Sequence, residues 1–425
     1  MSFAVFLWLL IWGGMFTGIY NILTPGFTRD AFSLFQGLRA LLPVFAAYLS
    51  VLWVFGRRSR IPYHIAPLRF LFMYTLVGIV SSFFLSSQKL TAMYWVSVYI
   101  APLFAVWIAL DRPDGLDQVR KLLRVNYAVF FLITISFFPQ SIGAGLAKIS
   151  HNAFYALPFG LGEIRSNGVG RYALVVLIVA AVRFLLERRK RRYLWLAVLL
   201  PSLLLLVQTQ SRTALLGLAV AGVLLVFLWG LDIRYGITAP AMAYLIWLSG
   251  IKWRYQGRMA NLMLLTGREY TWQKGVAQIK QSPFLGWGFH ADRILLNSEH
   301  MHNSYLHAMI HSGIIGAAFF LAALVSTWAL ILRSGLIRLS RSVQGPDRAL
   351  IMESIMITGF LTARSFFEST AAFFGVDLLL LVPTMAFLYS WVHQRGRTEA
   401  PEAAASASGE PAPFDRTSRT ARVQP

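Results

Sequence analysis

The chain is built from apolar blocks long enough to cross a lipid bilayer, which takes about 20 residues of helix. Hydrophobic residues make up 57% of its 425 positions and charged residues only 13%, about half the charged fraction of a soluble domain. Inside a bilayer each backbone N–H and C=O group has to be satisfied within the protein, which favours helices for such blocks. We therefore predict an all-α polytopic membrane protein.

The apolar blocks predict about twelve transmembrane helices. Their approximate bounds are residues 3–22, 37–56, 66–86, 91–110, 121–139, 171–187, 193–209, 213–231, 237–251, 304–332, 350–367 and 372–392. The ninth is short and contains a proline. The first has neither a basic region ahead of it nor a small-residue cleavage site, so we interpret it as a membrane span and not as a removable signal peptide.

Basic residues decide the predicted orientation. The formal net charge of +21 comes mainly from short loops between apolar blocks, as the positive-inside rule requires, and no motif supports nucleic-acid binding. Basic clusters follow every even-numbered span: Arg57–Arg60, Asp111–Arg124, Arg188–Arg192, Arg234, Arg333–Arg348 and Arg395–Arg397. Both termini are therefore predicted to be cytoplasmic. Residues 1–395 form the predicted transmembrane domain, and residues 396–425, small, polar and Pro-rich, a disordered cytoplasmic tail.

The largest loop on the opposite face covers residues 252–303 and is basic. The positive-inside trend does not explain this charge, so the loop attracts either an anionic substrate or anionic lipid. Within it, Thr266-Gly267-Arg268-Glu269 has the spacing of a helix capping box, and the predicted helix ends at Gln281-Ser282-Pro283. Arg268 then lies in the first helical turn, where anions are favoured.

Histidine supplies the candidate general base. His302 precedes the tenth span, and the ordinary pKa of a histidine lies near neutrality; the alternative is a histidine that only hydrogen-bonds at a helix start. His307 and His311 are one helical turn apart, which suits a metal ion. The sequence has no HExxH motif and no carboxylate within that pair, so we predict no metal site.

Other polar residues at the membrane rim are candidate substrate ligands. Arg212 lies between two apolar helices, where an arginine is costly unless it is paired or faces water. Arg364 and Glu368 are one helical turn apart and are predicted to pair. Trp287 either stacks on a sugar or anchors at the lipid interface. The remaining candidates are Arg165, Asn167, Arg171, Ser211, Trp272 and Asn303.

In this order the motifs resemble those of the O-antigen ligase and O-antigen polymerase superfamily of bacterial inner-membrane glycosyltransferases. The likeness runs from about Arg165 to Gly316, with a weaker likeness at Glu368-Ser369, whereas the spans before Arg165 match only in being apolar. It is carried by Asn167-Gly168, Ser211-Arg212-Thr213, Gly267-Arg268 with Trp272, Pro283 with Gly286 and Gly288, and His302-Asn303-Ser304-Tyr305-Leu306 followed by Gly313.

This resemblance implies a GT-C-like helical fold and an active site on the periplasmic side of the inner membrane. It also implies an undecaprenyl-diphosphate-linked glycan donor, inversion at the anomeric centre, and no metal or other cofactor. We assign Arg212 and Arg268 to the diphosphate, whose negative charge develops as it leaves. His302 is assigned to the acceptor hydroxyl, whose proton it takes or which it orients.

Two acceptors are compatible with these motifs. A ligase moves the glycan onto a lipid A core sugar, whereas a polymerase moves it onto another lipid-linked repeat unit. The basic outer loop favours the ligase, because its acceptor carries phosphates. A transporter of lipid-linked glycan is a third hypothesis, but its charged residues should lie near mid-membrane in both halves of the chain, and here they cluster in one half. Membrane lipids are the other expected partners.

Overall fold

A computed structural model describes residues 1–15, 31–57, 65–144, 154–156, 163–187, 190–209, 211–231 and 268–408. In chain order its helices are α1 (Phe3–Gly13), α2 (Ala31–Gly56), α3 (Ala66–Phe84), α4 (Lys89–Leu110), α5 (Gly115–Ser136), α6 (Phe138–Ala144), α7 (Ser166–Leu186), α8 (Arg191–Thr209), α9 (Arg212–Trp229), α10 (Arg268–Gln281), α11 (Ala291–Leu295), α12 (Ser304–Arg333), α13 (Leu336–Ser342), α14 (Pro346–Ser365) and α15 (Val376–Ser408). Two short strands, β1 (Phe154–Ala156) and β2 (Glu163–Arg165), form an antiparallel pair ahead of α7.

Within the described residues, nine helical segments are long and apolar enough to cross a membrane. They correspond to α2, α3, α4, α5 with α6, α7, α8, α9, α12 and α15. Each matches one of the predicted spans, and the prediction of an all-α polytopic membrane protein is confirmed. The basic loop predicted at residues 111–124 is shorter than expected, because α5 already begins at Gly115.

The other predicted spans have different outcomes. Helix α1 has 11 residues, fewer than the span predicted over residues 3–22, and residues 16–30 lie outside the described ranges. The predicted span 237–251 lies outside them as well. Helix α15 continues through Ser408 and so includes the beginning of the segment predicted as a tail. Residues 409–425 are not among those described, and the disordered tail stays a prediction.

Helix α14 lies where the span 350–367 was predicted, but it is not among the nine apolar segments. The reason is its charge, since it carries Asp347, Glu353 and Arg364. Glu353 is fully buried and its carboxylate accepts a 2.6 Å hydrogen bond from Arg183 of α7. A buried charge persists in a helical bundle when such a partner compensates its desolvation.

One buried amide joins three helices in the core. Asn126 of α5 is fully buried, and its Oδ1 accepts hydrogen bonds from the indole N–H groups of Trp8 (2.7 Å) and Trp12 (2.9 Å) in α1. Its Nδ2 donates to the carbonyl of Leu379 in α15 at 2.6 Å. Both ends of the amide are therefore satisfied, as burial among apolar side chains requires.

Helix α12 is broken one-third of the way along its length. Ser312 and Gly313 leave helical geometry, and Gly313 has a φ of 61°, a conformation that favours glycine. A Cβ atom at Gly313 would lie 2.1 Å from the carbonyl carbon of Phe284. The loop of residues 283–288 therefore packs directly on the broken helix, and no larger residue than glycine fits between them.

This loop also supplies hydrogen bonds that the break removes. The backbone N–H of Trp287 donates to the carbonyl of Ile310 at 2.9 Å, and that of Gly288 donates to the carbonyl of His311 at 2.8 Å. The glycine-rich motif thus completes the first part of α12. That first part carries His307 and begins next to His302.

The predicted orientation can be tested because the chain has no cysteine. Gln281 at the end of α10 and Gln344 between α13 and α14 are both exposed. We expect a membrane-impermeant maleimide to label the Gln281→Cys variant in intact spheroplasts and the Gln344→Cys variant only after lysis. The cysteine-free parent is the control, and the opposite labelling pattern would show that the orientation is inverted.

Candidate active site

Glu368 lies at the centre of a polar cluster between α14 and α15. Its side chain is 9% exposed and accepts hydrogen bonds from three other segments. The partners are Nδ1 of His302 at 2.9 Å, Nη2 of Arg268 at 3.1 Å and Nδ2 of Asn167 at 3.4 Å. The structure therefore joins four of the predicted site residues through one carboxylate.

The charge of Glu368 follows from these neighbours. Burial by itself would raise the pKa of its carboxyl group. The hydrogen bond with His302 and the positive charges of Arg364 and Arg268 outweigh that effect and hold the pKa well below its ordinary value. Glu368 is therefore a carboxylate at neutral pH, and it acts as a hydrogen-bond acceptor only.

The His302-Asn303-Ser304 motif holds the backbone around Glu368. The Asn303 side chain caps α12 by accepting from the N–H groups of Tyr305 and Leu306, each at 3.0 Å, and its Nδ2 donates to the carbonyl of Phe366 at 3.1 Å. The hydroxyl of Ser304 lies 2.9 Å from the carbonyl oxygen of Glu368. These contacts bind the start of α12 to the segment that carries the carboxylate.

Helix α10 brings Arg268 to the same place. The helix runs from Arg268 to Gln281, as the sequence predicted, while Thr266 and Gly267 lie outside the described residues. Besides Glu368, the guanidinium of Arg268 also donates to the carbonyl of Phe367. One turn later, the indole N–H of Trp272 donates to the carbonyl of Met301 at 2.6 Å. Trp272 therefore ties α10 to the residue directly before His302.

A second carboxylate, Asp377, accepts hydrogen bonds from arginines of two neighbouring helices, α7 and α14. Its side chain is 8% exposed, with Nη1 of Arg171 at 3.2 Å and Nε of Arg364 at 3.3 Å. Arg364 also donates to the hydroxyl of Thr213 at 3.0 Å. The hydroxyl of Ser211 caps α9 and lies 3.3 Å from that of Thr213. The Ser211-Arg212-Thr213 motif is thereby connected to α7, α14 and α15.

Helix α7 links the two carboxylates. Asn167 and Arg171 are one helical turn apart, so they lie on the same face of the helix. Asn167 contacts Glu368 and Arg171 contacts Asp377. The two polar clusters therefore form one continuous region at one end of the bundle.

Three predicted residues have positions that the sequence did not specify. Arg212 is the first residue of α9 and is partly exposed, while Arg165 is exposed and directly precedes α7. The indole N–H of Trp287 donates to the carbonyl of Gln278 at 2.9 Å, which fastens loop 283–288 to α10. A sugar-stacking role for Trp287 stays a prediction.

The predicted pairing of Arg364 with Glu368 has to be revised. Arg364 hydrogen-bonds Asp377 and Thr213, and Glu368 hydrogen-bonds His302 and Arg268. The two side chains therefore form no direct ion pair with each other in the structure, although the charge of Arg364 lowers the pKa of Glu368. Asp377 had only one sequence signal, an ionisable residue within an apolar span.

The central segment of the chain is similar to known proteins. Residues 197–321 match a family model described as O-Antigen ligase, and this range includes Arg212, Arg268 and His302. The Exopolysaccharide production protein ExoQ of Rhizobium meliloti (strain 1021) is 29% identical over 109 residues, which are 22% of this chain and 24% of that protein. The match therefore spans about a quarter of that relative's length. Both matches confirm the predicted resemblance to the O-antigen ligase and polymerase superfamily.

Asp377 provides a test of how the region is stabilised. The Asp377→Asn substitution keeps the side chain's size but leaves Arg171 and Arg364 buried without their counter-charge. We expect it to destabilise the protein by about 3 kcal/mol, measured as a lower melting temperature in detergent. The control is Asp114→Asn, which removes an exposed pair with Arg112 and should leave the melting temperature nearly unchanged. Equal effects of the two substitutions would contradict this account.

Proposed function

We propose that this protein is a glycosyltransferase that moves a glycan from undecaprenyl diphosphate to a saccharide acceptor at the periplasmic face of the bacterial inner membrane. The similarity of residues 197–321 to the O-antigen ligase family supports the class of reaction. The observation that carries the proposal is the contact between His302 and Glu368, because the carboxylate orients the imidazole as a general base beside Arg268.

The tautomer of His302 follows from that contact. Glu368 is a carboxylate, so it accepts the hydrogen bond and Nδ1 of His302 carries the proton. In the neutral ring Nε2 then has a free lone pair. The His302 side chain is 34% exposed, so an acceptor hydroxyl has access to it. Nε2 takes the hydroxyl proton as the acceptor oxygen attacks the anomeric carbon of the donor glycan.

The arginines act on the leaving group. As the new glycosidic bond forms, the bond between the anomeric carbon and the phosphate oxygen breaks, and undecaprenyl diphosphate leaves with its electron pair. Fixed cations stabilise this developing charge more than they stabilise the bound donor. Arg268 retains N–H groups beyond those that contact Glu368 and Phe367, and Arg212 at the start of α9 is the second cation in the proposal.

Attack from the face opposite the diphosphate inverts the anomeric centre. The acceptor hydroxyl and the leaving phosphate then lie on opposite sides of the sugar ring, so the base and the cations need separate positions. We assign His302 to the acceptor side and the arginines to the donor side. In this assignment Glu368 orients the base and also holds Arg268, which keeps the two groups at a fixed separation.

Two acceptors fit the proposal. The description of the matched family favours a ligase that moves the glycan onto a lipid A core sugar. The name of the relative ExoQ states exopolysaccharide production, which favours a polymerase that extends an exported polysaccharide from lipid-linked repeat units. The ligase is our first proposal and the polymerase our second.

A deletion strain separates these possibilities. We expect electrophoresis of its lipopolysaccharide to show bare core without the polymer ladder, while undecaprenyl-linked polymer accumulates, if the protein is a ligase. Core with a single repeat unit, or loss of a secreted polysaccharide with unchanged lipopolysaccharide, would identify a polymerase. Unchanged amounts of every surface and secreted polysaccharide would refute glycan transfer.

Substitutions test the proposed base and its orienting carboxylate. The His302→Ala variant loses proton transfer, and we expect glycan transfer to fall by at least about 100-fold. Glu368→Gln preserves size but removes the charge that fixes the histidine tautomer, so transfer should also fall, by at least about 10-fold. Transfer is measured in membranes that contain equal amounts of each variant.

The matched control is Glu299→Gln. Glu299 is also a glutamate in the segment before α12, and it hydrogen-bonds the hydroxyl of Thr271 rather than the candidate base. We expect this variant to keep wild-type transfer. If His302→Ala or Glu368→Gln transfers glycan as fast as Glu299→Gln does, the roles assigned to those residues are wrong.

A further inference from the structure

A third buried carboxylate lies beside the candidate active site, and histidines surround it. Asp292 of α11 is 1% exposed. Its Oδ2 lies 2.8 Å from Nδ1 of His300 and 3.6 Å from Nδ1 of His307, and its Oδ1 lies 3.6 Å from Nε2 of His311. Within the described residues, the ion pairs of Asp292 are all with histidines, whereas Glu368 has an arginine partner.

We propose that Asp292, His300 and His307 bind a divalent transition-metal ion, with Zn²⁺ as the best fit. One donor atom from each residue lies within 4.8 Å of the other two. Donor atoms around a tetrahedral Zn²⁺ with bonds of about 2.0–2.1 Å are about 3.3 Å apart. The three side chains therefore have to move by about an ångström or less to reach that geometry.

The donor set decides the kind of metal. A carboxylate oxygen and two imidazole nitrogens suit zinc and its first-row neighbours better than calcium or magnesium, which prefer all-oxygen sites. The chain has no cysteine, so thiolate ligands are excluded. When the metal binds, Nδ1 of both histidines presents its lone pair, and the ring proton of each neutral imidazole lies on Nε2.

The residues around the three ligands define the rest of the site. The hydroxyl of Ser369 lies 2.9 Å from Nδ1 of His307. It would release that nitrogen to the metal, and this oxygen or a water molecule would take the fourth coordination site. His311 plays a different part, because its Nε2 already accepts a 3.1 Å hydrogen bond from the backbone N–H of His290. Its ring lies beside the ion and supports His307, with ring centroids 4.1 Å apart.

The ion would cross-link three consecutive segments of the chain. Asp292 lies on α11, His300 in the following loop and His307 on the first part of α12. His300 is two residues before His302, and the centroids of their rings are 5.1 Å apart. The ion therefore fixes the backbone that carries the candidate base, and it stays outside the glycan-transfer chemistry proposed above.

Metal content tests this proposal directly. The full-length protein is purified in detergent through an affinity tag without histidines, incubated with Zn²⁺, desalted, and measured by inductively coupled plasma mass spectrometry. We expect about one zinc ion per chain. The Asp292→Asn and His300→Ala variants each lose one ligand, so their zinc affinity should fall at least about 10-fold.

The control variant is His393→Ala, which removes a histidine of α15 that stacks on Tyr389, outside the cluster. It should retain wild-type zinc content. A second measurement needs no variant: chelation of the metal should lower the melting temperature of the wild-type protein, and Zn²⁺ should restore it. The proposal would be overturned if the wild-type protein held no zinc after incubation. It would also be overturned if neither chelation nor added Zn²⁺ changed the melting temperature. Neither readout depends on glycan transfer.

Discussion

The structure around the candidate site depends on compensation of buried carboxylates. The side chains of Glu368, Asp377 and Asp292 are each at most 9% exposed, and removing such a charge from water costs several kcal/mol unless partners offset it. Their partners come from α7, α10, α12, α14 and the loop before α12. These helices have to converge at one end of the bundle because no single element supplies both the charge and its counter-charge.

The convergence of these helices also places the candidate base and the arginines around the buried carboxylates. The segment between α14 and α15 presents Glu368 to the candidate base, and the next helix presents Asp377 to the arginines of α7 and α14. The carboxylate that offsets Arg268 also fixes the tautomer of His302. The groups that hold the helices together are therefore the ones we propose to organise proton transfer and departure of the diphosphate.

The sequence predicted the helices better than their contacts. A long apolar block is a local property, so most predicted spans and α10 are present in the structure. Charge made α14 too polar to count as an apolar span. The contact between His302 and Glu368 joins residues that are 66 positions apart, and the carboxylate beside His307 comes from α11. Such partners depend on tertiary folding, so spacing alone did not indicate that Asp292 lies among the histidines.

The break at Ser312 and Gly313 divides α12 into a short first part and a long second part. Beyond Gly313 the helix continues for about 20 residues, or roughly 30 Å, which by itself matches the apolar thickness of a bilayer. The part before the break is fastened to loop 283–288 and to the segment around Glu368. The long part is held by the same loop, because the N–H groups of Ile314 and Ile315 donate to the carbonyls of Pro283 and Phe284. Loop 283–288 therefore bridges the break, and it sets the angle between the long part of α12 and the part that begins beside His302.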